Sequence, residues 1–308
     1  PVTVGHEFAG TVVEVGSAVM DIDVGDYVSA ESHVTCGECF QCRSGQPHMC
    51  PRTRILGVDF DGAFADFVAV PEKVVWRNDR DKLPPELATL QEPFGNAVYA
   101  TLEHDVADKT VGVLGCGPVG LFSIGVARAA GAERVLAADV QTYRLSLATT
   151  MGADAVFNPS QDGDSAEWLA AATSGDGVDV ALEMSGAPSA IDAALRGTRS
   201  GGRVTLFGIP SKPVTLDVGG TMILKNLTVL ALAGRRIFDS WYTTQWLLES
   251  GAVDLRPLVT HEMALEDIDQ AVELLARGQA AKIVLRPKAA QDAKAHDSVG
   301  QRRQDASC

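Results

Sequence analysis

Four cysteines fall within one short stretch: Cys36, Cys39, Cys42 and Cys50, spaced C-x2-C-x2-C-x7-C, while Cys116 and Cys308 stand apart from them. Thiolates at such short spacings can converge on a tetrahedral ion with no hydrophobic core beneath them. No signal peptide is read at the start and the cytoplasm is the expected compartment, where clustered thiols point to metal rather than disulfides. A closed four-sulfur zinc site is structural, because it folds a loop and leaves no open coordination position. The rival is an iron–sulfur cluster, since Pro51 follows Cys50. That pattern, however, places three residues before its last cysteine, and here there are seven. His6 and Glu7 sit side by side at the first turn and, as an isolated pair, read more simply as a polar strand end than as metal ligands.

A second chemistry lies in Thr110 to Asp139, TVGVLGCGPVGLFSIGVARAAGAERVLAAD. The order is strand, glycine turn, helix, strand, acid. Gly115 makes the tight turn, Gly117 lets the backbone approach a pyrophosphate, and Gly120 lets the helix pack closely on the sheet. Pro118 stands at the first helical position, where a missing N–H costs nothing. With Val119 it opens a helix whose bare amides and dipole favour a diphosphate. Asp139 ends the second strand as an acceptor for a ribose 2′-hydroxyl. Its charge favours NAD over NADP, and Arg144 nearby softens that preference.

These motifs need elements to hold them. The chain has 308 residues, 46% of them hydrophobic and 21% charged, enough for two domains with full cores. A net charge of −14 speaks against nucleic acid and anionic membranes as partners, and no apolar run approaches a bilayer span. Residues 1–30 and 55–76 carry Val, Thr, Ile and Phe punctuated by glycine and read as short strands of a small barrel. From Pro84 the pattern turns helical, and Glu92-Pro93 reads as a break between two domains that presents a carboxylate to a cleft. A solvated helix-end acid is an equal reading of Glu92.

After Asp139, helices at 142–151, 164–172 and 188–197 alternate with strands at 155–157, 178–184, 203–208 and 227–233. The fold class is therefore α/β, with a doubly wound parallel sheet. Ligands in such sheets lie at the carboxyl ends of the strands, near Ser185, Gly186, Gly208 and Ile209. Residues 241–286 hold two amphipathic helices and a terminal strand. The expected domains are 1–98, 99–236 and a return to the first at 237–287, with a disordered tail at 288–308.

Together, the GHE turn, the four cysteines, the Glu-Pro before a boundary helix and the glycine fingerprint resemble the zinc-dependent medium-chain alcohol dehydrogenases. The resemblance runs from Val4 to about Leu285. Within the family, SHVTCGECFQC, EPFGNAV, LEMSGAP, GRRIFDSWY and LVTHEM look closest to the threonine-oxidising branch, although the sorbitol and butanediol branches share most of the framework. The resemblance implies a GroES-like β-barrel, missing its first strands here, joined to a Rossmann domain. It also implies structural zinc at the four cysteines. Catalytic zinc would be held by His6, with Glu7 as ligand or close neighbour and Glu92 approaching from the other side. His33 would line the substrate pocket, and Gly115, Gly117, Gly120, Asp139 and Arg144 would bind NAD. The implied reaction is oxidation of a small secondary alcohol, L-threonine first, by a cytoplasmic homotetramer.

Members of the family also place a metal-binding cysteine in a Cys-Gly-Thr-Asp motif upstream of the GHE turn, and no residue here matches it. From the sequence, then, the chain is expected to be a fragment or truncated form that binds NAD but is weak or dead as a catalyst. The alternatives are a polyol or vicinal-diol dehydrogenase, and a non-catalytic NAD-binding subunit.

Overall fold

The computed structural model describes residues 1–288, and the tail beyond, with Cys308 and the reading of disorder there, lies outside the described residues. Contacts divide the chain into two compact units. Pro1–Glu92 and the described residues from Val259 onward form the first, and Pro93–Leu258 the second. Among the described residues no helix is long and apolar enough to cross a membrane.

The first unit is sparse in strand. β1 (Ala9–Thr11), β2 (Tyr27–Ala30) and β5 (Val75–Arg77) make an antiparallel sheet in the order β1-β2-β5, and β3 (His33–Val34) pairs with β4 (Arg54–Ile55). Much of 1–30 and all of 62–70, expected as strand, is irregular. A ladder makes a strand, and in this region hydrogen bonds from Gly62, Ala63 and Phe64 to Thr3, Gly5 and Val4 replace one. α1 (Phe40–Arg43) lies inside the cysteine stretch, with Cys39 as its N-cap.

α2 (Pro85–Ala88) is followed by α3 (Gln91–Leu102). The expected break at Glu92-Pro93 is thus displaced to Thr89 and Leu90. Pro93 instead sits in the first turn of α3, where no intrahelical partner awaits its nitrogen.

The second unit is built on the six-stranded parallel order β11-β10-β9-β6-β7-β8. Its strands are β6 (Thr110–Leu114), β7 (Arg134–Ala138), β8 (Ala155–Phe157), β9 (Val178–Glu183), β10 (Thr198–Leu206) and β11 (Thr228–Ala231). The helices α4 (Pro118–Ala129), α5 (Thr142–Thr150), α6 (Pro159–Asp162), α7 (Ser165–Ala172) and α8 (Pro188–Gly197) connect them. This is the doubly wound Rossmann order, whose switch point lies between β6 and β9. Strands covered on both faces read as unbroken apolar runs, as in Val178–Glu183, where Val178, Val180, Ala181 and Leu182 are buried. Local signals fix the helix starts. Proline opens α4, α6 and α8, and the Asp164 carboxylate accepts the amides of Ala166 and Glu167 at the start of α7.

α9 (Asp239–Glu249) also belongs to the second unit, with Trp241 buried and the following Val253 packed near Gly125 and Met151 of that unit. The expected return to the first unit at 237 therefore falls instead at Val259. Amphipathicity shows that a helix has an apolar face, but not which layer that face covers. The returning segment is β12 (Val259–Ala264), α10 (Ile268–Ala276) and β13 (Lys282–Arg286), with β12 and β13 parallel.

Candidate functional site

The four cysteines converge. Their Sγ atoms lie within 4.8 Å of one another, with Cys36 to Cys42 at 3.9 Å and Cys50 to Cys36 at 3.5 Å. Tetrahedral zinc with bonds of about 2.3 Å sets sulfurs about 3.8 Å apart, so the spacing fits that ion. Backbone amides of Cys39, Cys42 and Arg52 point at the sulfurs of Cys36, Cys39 and Cys50. At Cys50 burial opposes ionisation, but amide hydrogen bonds and the neighbouring thiols outweigh it and bring the thiol down to about 6. At Cys42 burial prevails and holds the thiol at about 11. The lobe already favours thiolate at one corner, and a cation would draw the rest.

His6, Glu7 and Glu92 also come together, with one ligand atom of each inside 4.8 Å. The GHE turn is placed by glycines. Gly5 has a φ of +95°, and a Cβ on Gly57 or Gly62 would stand 2.5 or 2.1 Å from its carbonyl oxygen. Only glycine allows three backbones so close. Glu92 is delivered by the start of α3, where Ser29 Oγ donates to Gln91 Oε1 at 2.5 Å and Ser32 Oγ donates to Glu92 Oε1 at 2.5 Å. Lys282, on β13, donates to Glu7 Oε2 and pairs its charge.

Glu31, His33 and Glu92 form an overlapping set, again within 4.8 Å. The fully buried Glu31 carboxylate accepts from the His33 backbone N at 2.8 Å and stands 3.0 Å from Nδ1. Of the two sets, His6, Glu7 with its Oε1 turned away from Lys282, and the buried Glu92 form a donor set suited to zinc.

In the second unit the glycine turn has its expected form. Gly115 has a φ of +100° and a Cβ there would strike Ser185 at 2.7 Å. On Gly120 it would lie 1.9 Å from the Gly115 carbonyl oxygen. At Gly117, the N-cap of α4, a Cβ meets nothing within 4 Å. That open space, beside the half-exposed Pro118 and Val119, is where a pyrophosphate would approach. Asp139 Oδ2 accepts from the Cys116 amide at 2.7 Å and Oδ1 from the Gln141 amide at 2.8 Å, while Arg144 Nη1 stands 3.8 Å away. Burial pushes the Cys116 thiol far above its ordinary range, so it is inert.

Gly208 and Gly186 meet across the ends of β10 and β9, and Ile209 stands largely exposed beside them. Glu183 holds this corner, accepting from the Ser185 hydroxyl at 2.5 Å and amide at 2.8 Å. Its carboxyl is raised by burial, against the pull of those bonds.

The structure therefore groups the predicted residues into three sites. Sequence reasoning passed over Glu31, Ser32, Gly57, Gly62, Glu183 and Lys282. The only sequence signal for Glu31 and Ser32 is their adjacency to His33, and Lys282 carries none, being 275 positions from Glu7.

Residues 1–80 match the alcohol dehydrogenase GroES-like domain and residues 118–250 the zinc-binding dehydrogenase domain. The L-threonine 3-dehydrogenase of Symbiobacterium thermophilum is 49% identical over 288 residues, covering 93% of this chain and 82% of the relative. That of Bacillus subtilis is 44% identical over 287 residues, with coverage of 93% and 82%. Among solved structures, 2R,3R-butanediol dehydrogenase from Bacillus subtilis superposes with a TM-score of 0.85 at 32% identity, covering 94% of this chain and 81% of that one.

Proposed function

The chain belongs to the zinc-binding, GroES-like medium-chain alcohol dehydrogenases, and from that premise we propose that it oxidises L-threonine to 2-amino-3-oxobutanoate with NAD. The observation that carries this reading is the 49% identity to an L-threonine 3-dehydrogenase across 93% of the chain, reinforced by the convergence of His6, Glu7 and Glu92.

Bound zinc would supply Lewis acidity toward the substrate hydroxyl, and bound nicotinamide would accept the hydride. The chain's own residues do the rest. His6 and Glu92 offer the ion a nitrogen and an oxygen. Glu7, with one carboxylate oxygen paired to Lys282, offers its other oxygen or stands just behind. Ser32 orients Glu92 through its short hydrogen bond. In the second unit the open face of Gly117 takes the pyrophosphate, and Asp139 takes the adenosine ribose with Arg144 at its edge. The four cysteines would hold a second zinc as a structural brace.

The reading is tested on the purified chain by NADH formation from L-threonine, sorbitol and 2,3-butanediol, together with zinc content. It expects threonine to give the highest kcat/KM and about two zinc ions per chain. A preference for either of the other alcohols overturns the substrate, and about one zinc per chain overturns the His6–Glu7–Glu92 metal site.

A further inference from the structure

Glu183 ties together both loops at the carboxyl ends of β9 and β10. Its side chain, fully buried at the end of β9, accepts through Oε1 from the Ser185 hydroxyl at 2.5 Å, the Ser185 amide at 2.8 Å and the Gly186 amide at 3.0 Å. Oε2 shares the Gly186 amide, at 3.1 Å. The Glu183 carbonyl accepts the amides of Phe207 at 2.9 Å and Gly208 at 3.1 Å. Packing closes the same junction. A Cβ on Gly115 would stand 2.7 Å from Ser185 Cβ, one on Gly208 2.0 Å from the Gly186 nitrogen, and one on Gly186 2.6 Å from the Ile209 carbonyl oxygen. Among the described residues no cation pairs with the Glu183 carboxylate. Burying such a charge is unfavourable, and an apolar side chain would fill the strand end more stably. What the acid adds is a set of acceptors for a turn that has no ladder to hold it.

The place of this corner says what would lie on it. Gly117 caps α4, which follows β6, and Asp139 directly follows β7. β7 lies on one side of β6 and β9 on the other. A dinucleotide crosses that switch point, so adenosine beside Asp139 sends the other half over β9 and β10. We propose that Glu183 is a positioning residue for the nicotinamide riboside half of NAD: it holds Ser185 and Gly186 fixed against Gly208 and Ile209 before the cofactor arrives. This rests on the NAD part of the reading above and not on the choice of alcohol. A turn held in place loses no backbone freedom on binding, whereas a released one must be ordered by the ligand itself.

The first test needs no variant. Met184 donates its amide to the Leu114 carbonyl, Ser185 and Gly186 donate theirs to Glu183, and Ala187 donates to Ser185 Oγ. Hydrogen exchange by mass spectrometry over 183–187, in the whole chain without NAD, should therefore be slow. Rapid exchange that slows only when NAD is added overturns the proposal. Titration calorimetry then compares NAD with ADP, which lacks the nicotinamide riboside. Glu183→Met removes the acceptors and should weaken NAD about thirtyfold or more, the backbone freedom of two residues that binding must then freeze, while ADP stays within about twofold. Glu183→Gln keeps an oxygen that can take the place of Oε1, and should bind NAD within about threefold of wild type. In a Glu183→Met chain that keeps its unfolding transition, equal weakening of NAD and ADP overturns the proposal, as does unchanged NAD binding. Glu183→Gln as weak as Glu183→Met also overturns it. Where Glu183→Met does not fold, the exchange result decides. A wild-type chain that binds no NAD tells against the cofactor reading and takes the proposal with it, whereas a failure confined to the variants or to the exchange tells against Glu183 alone.

Discussion

The His6–Glu7–Glu92 cluster of the first unit and the glycine turn of the second are built by opposite means. The turn comes from one uninterrupted run, Thr110 to Asp139, in which each residue is placed by its neighbours and by a regular parallel ladder. The cluster gathers His6, Glu7 and Glu92 from the two ends of a long, mostly irregular segment. It is braced by Ser32, by the glycines at 5, 57 and 62, and by Lys282 from the returning chain. The difference teaches that a helix terminus can make an anion site from backbone alone. A metal site needs side chains from several elements and so inherits the precision of the whole unit.

The sharpest separation of the two regions is His6→Ala. It should remove one zinc per chain and lower turnover about a thousandfold, the loss of several kcal/mol of charge stabilisation. NAD affinity, read by titration calorimetry, should stay within about twofold. A matching loss of NAD binding would show that the two regions are not independent.

Within the turn, Gly117 and Gly120 form a second contrast. Gly120→Ala drives a methyl into the Gly115 carbonyl and should cost about 3 kcal/mol or more in denaturant unfolding. Gly117→Ala enters open space, so stability should hold while NAD binding weakens about tenfold. Equal destabilisation by the two would refute the ligand role of the space at Gly117.

Asp139→Asn should weaken NAD about tenfold, the scale of a charge-assisted hydrogen bond, and narrow the gap to NADP. An unaltered NAD-to-NADP ratio would move ribose recognition elsewhere.

The smallest effect concerns the ladder under the turn. Burial works to raise the Asp179 carboxyl, but the Thr110 amide and Arg199 outweigh it and hold it below its ordinary value of 3.8. A lowered carboxyl stabilises the fold above that value and loses the contribution as pH falls through the folded-state value. Asp179→Asn should therefore cost about 1 kcal/mol at neutral pH, and the difference from wild type should vanish in acid once the pH has fallen below the folded-state value. A difference that persists there would assign the effect to packing.

Most helices and strands of the second unit were legible to within a residue or two, although β10 begins at Thr198 rather than at 203 and α6 was not foreseen. Proline and aspartate at helix starts, glycine after strands and unbroken apolar runs are local signals, and the parallel order follows from their alternation. The first unit was less legible. Residues 62–70 alternate Phe with small partners but form no strand, because pairing is decided by what lies alongside. Pro93 read as a helix break but occupies a first turn, since its effect depends on where the helix begins. Of the sites, the cysteine lobe and the glycine turn could be read directly. His6 and Glu7 gained weight only through family resemblance, and Glu31 and Lys282 were invisible.

The sequence by itself determined the four-cysteine lobe, the glycine turn with its terminal acid, and the α/β class, because each depends on spacing along a few turns or strands of chain. Tertiary structure alone decided that Glu92 joins His6 and Glu7, that Lys282 pairs with Glu7, and that α9 packs with the second unit. The physical reason is distance along the chain: hydrogen bonds and ion pairs act over a few ångströms in space, and no periodicity in the sequence records which remote segments folding will bring within that reach.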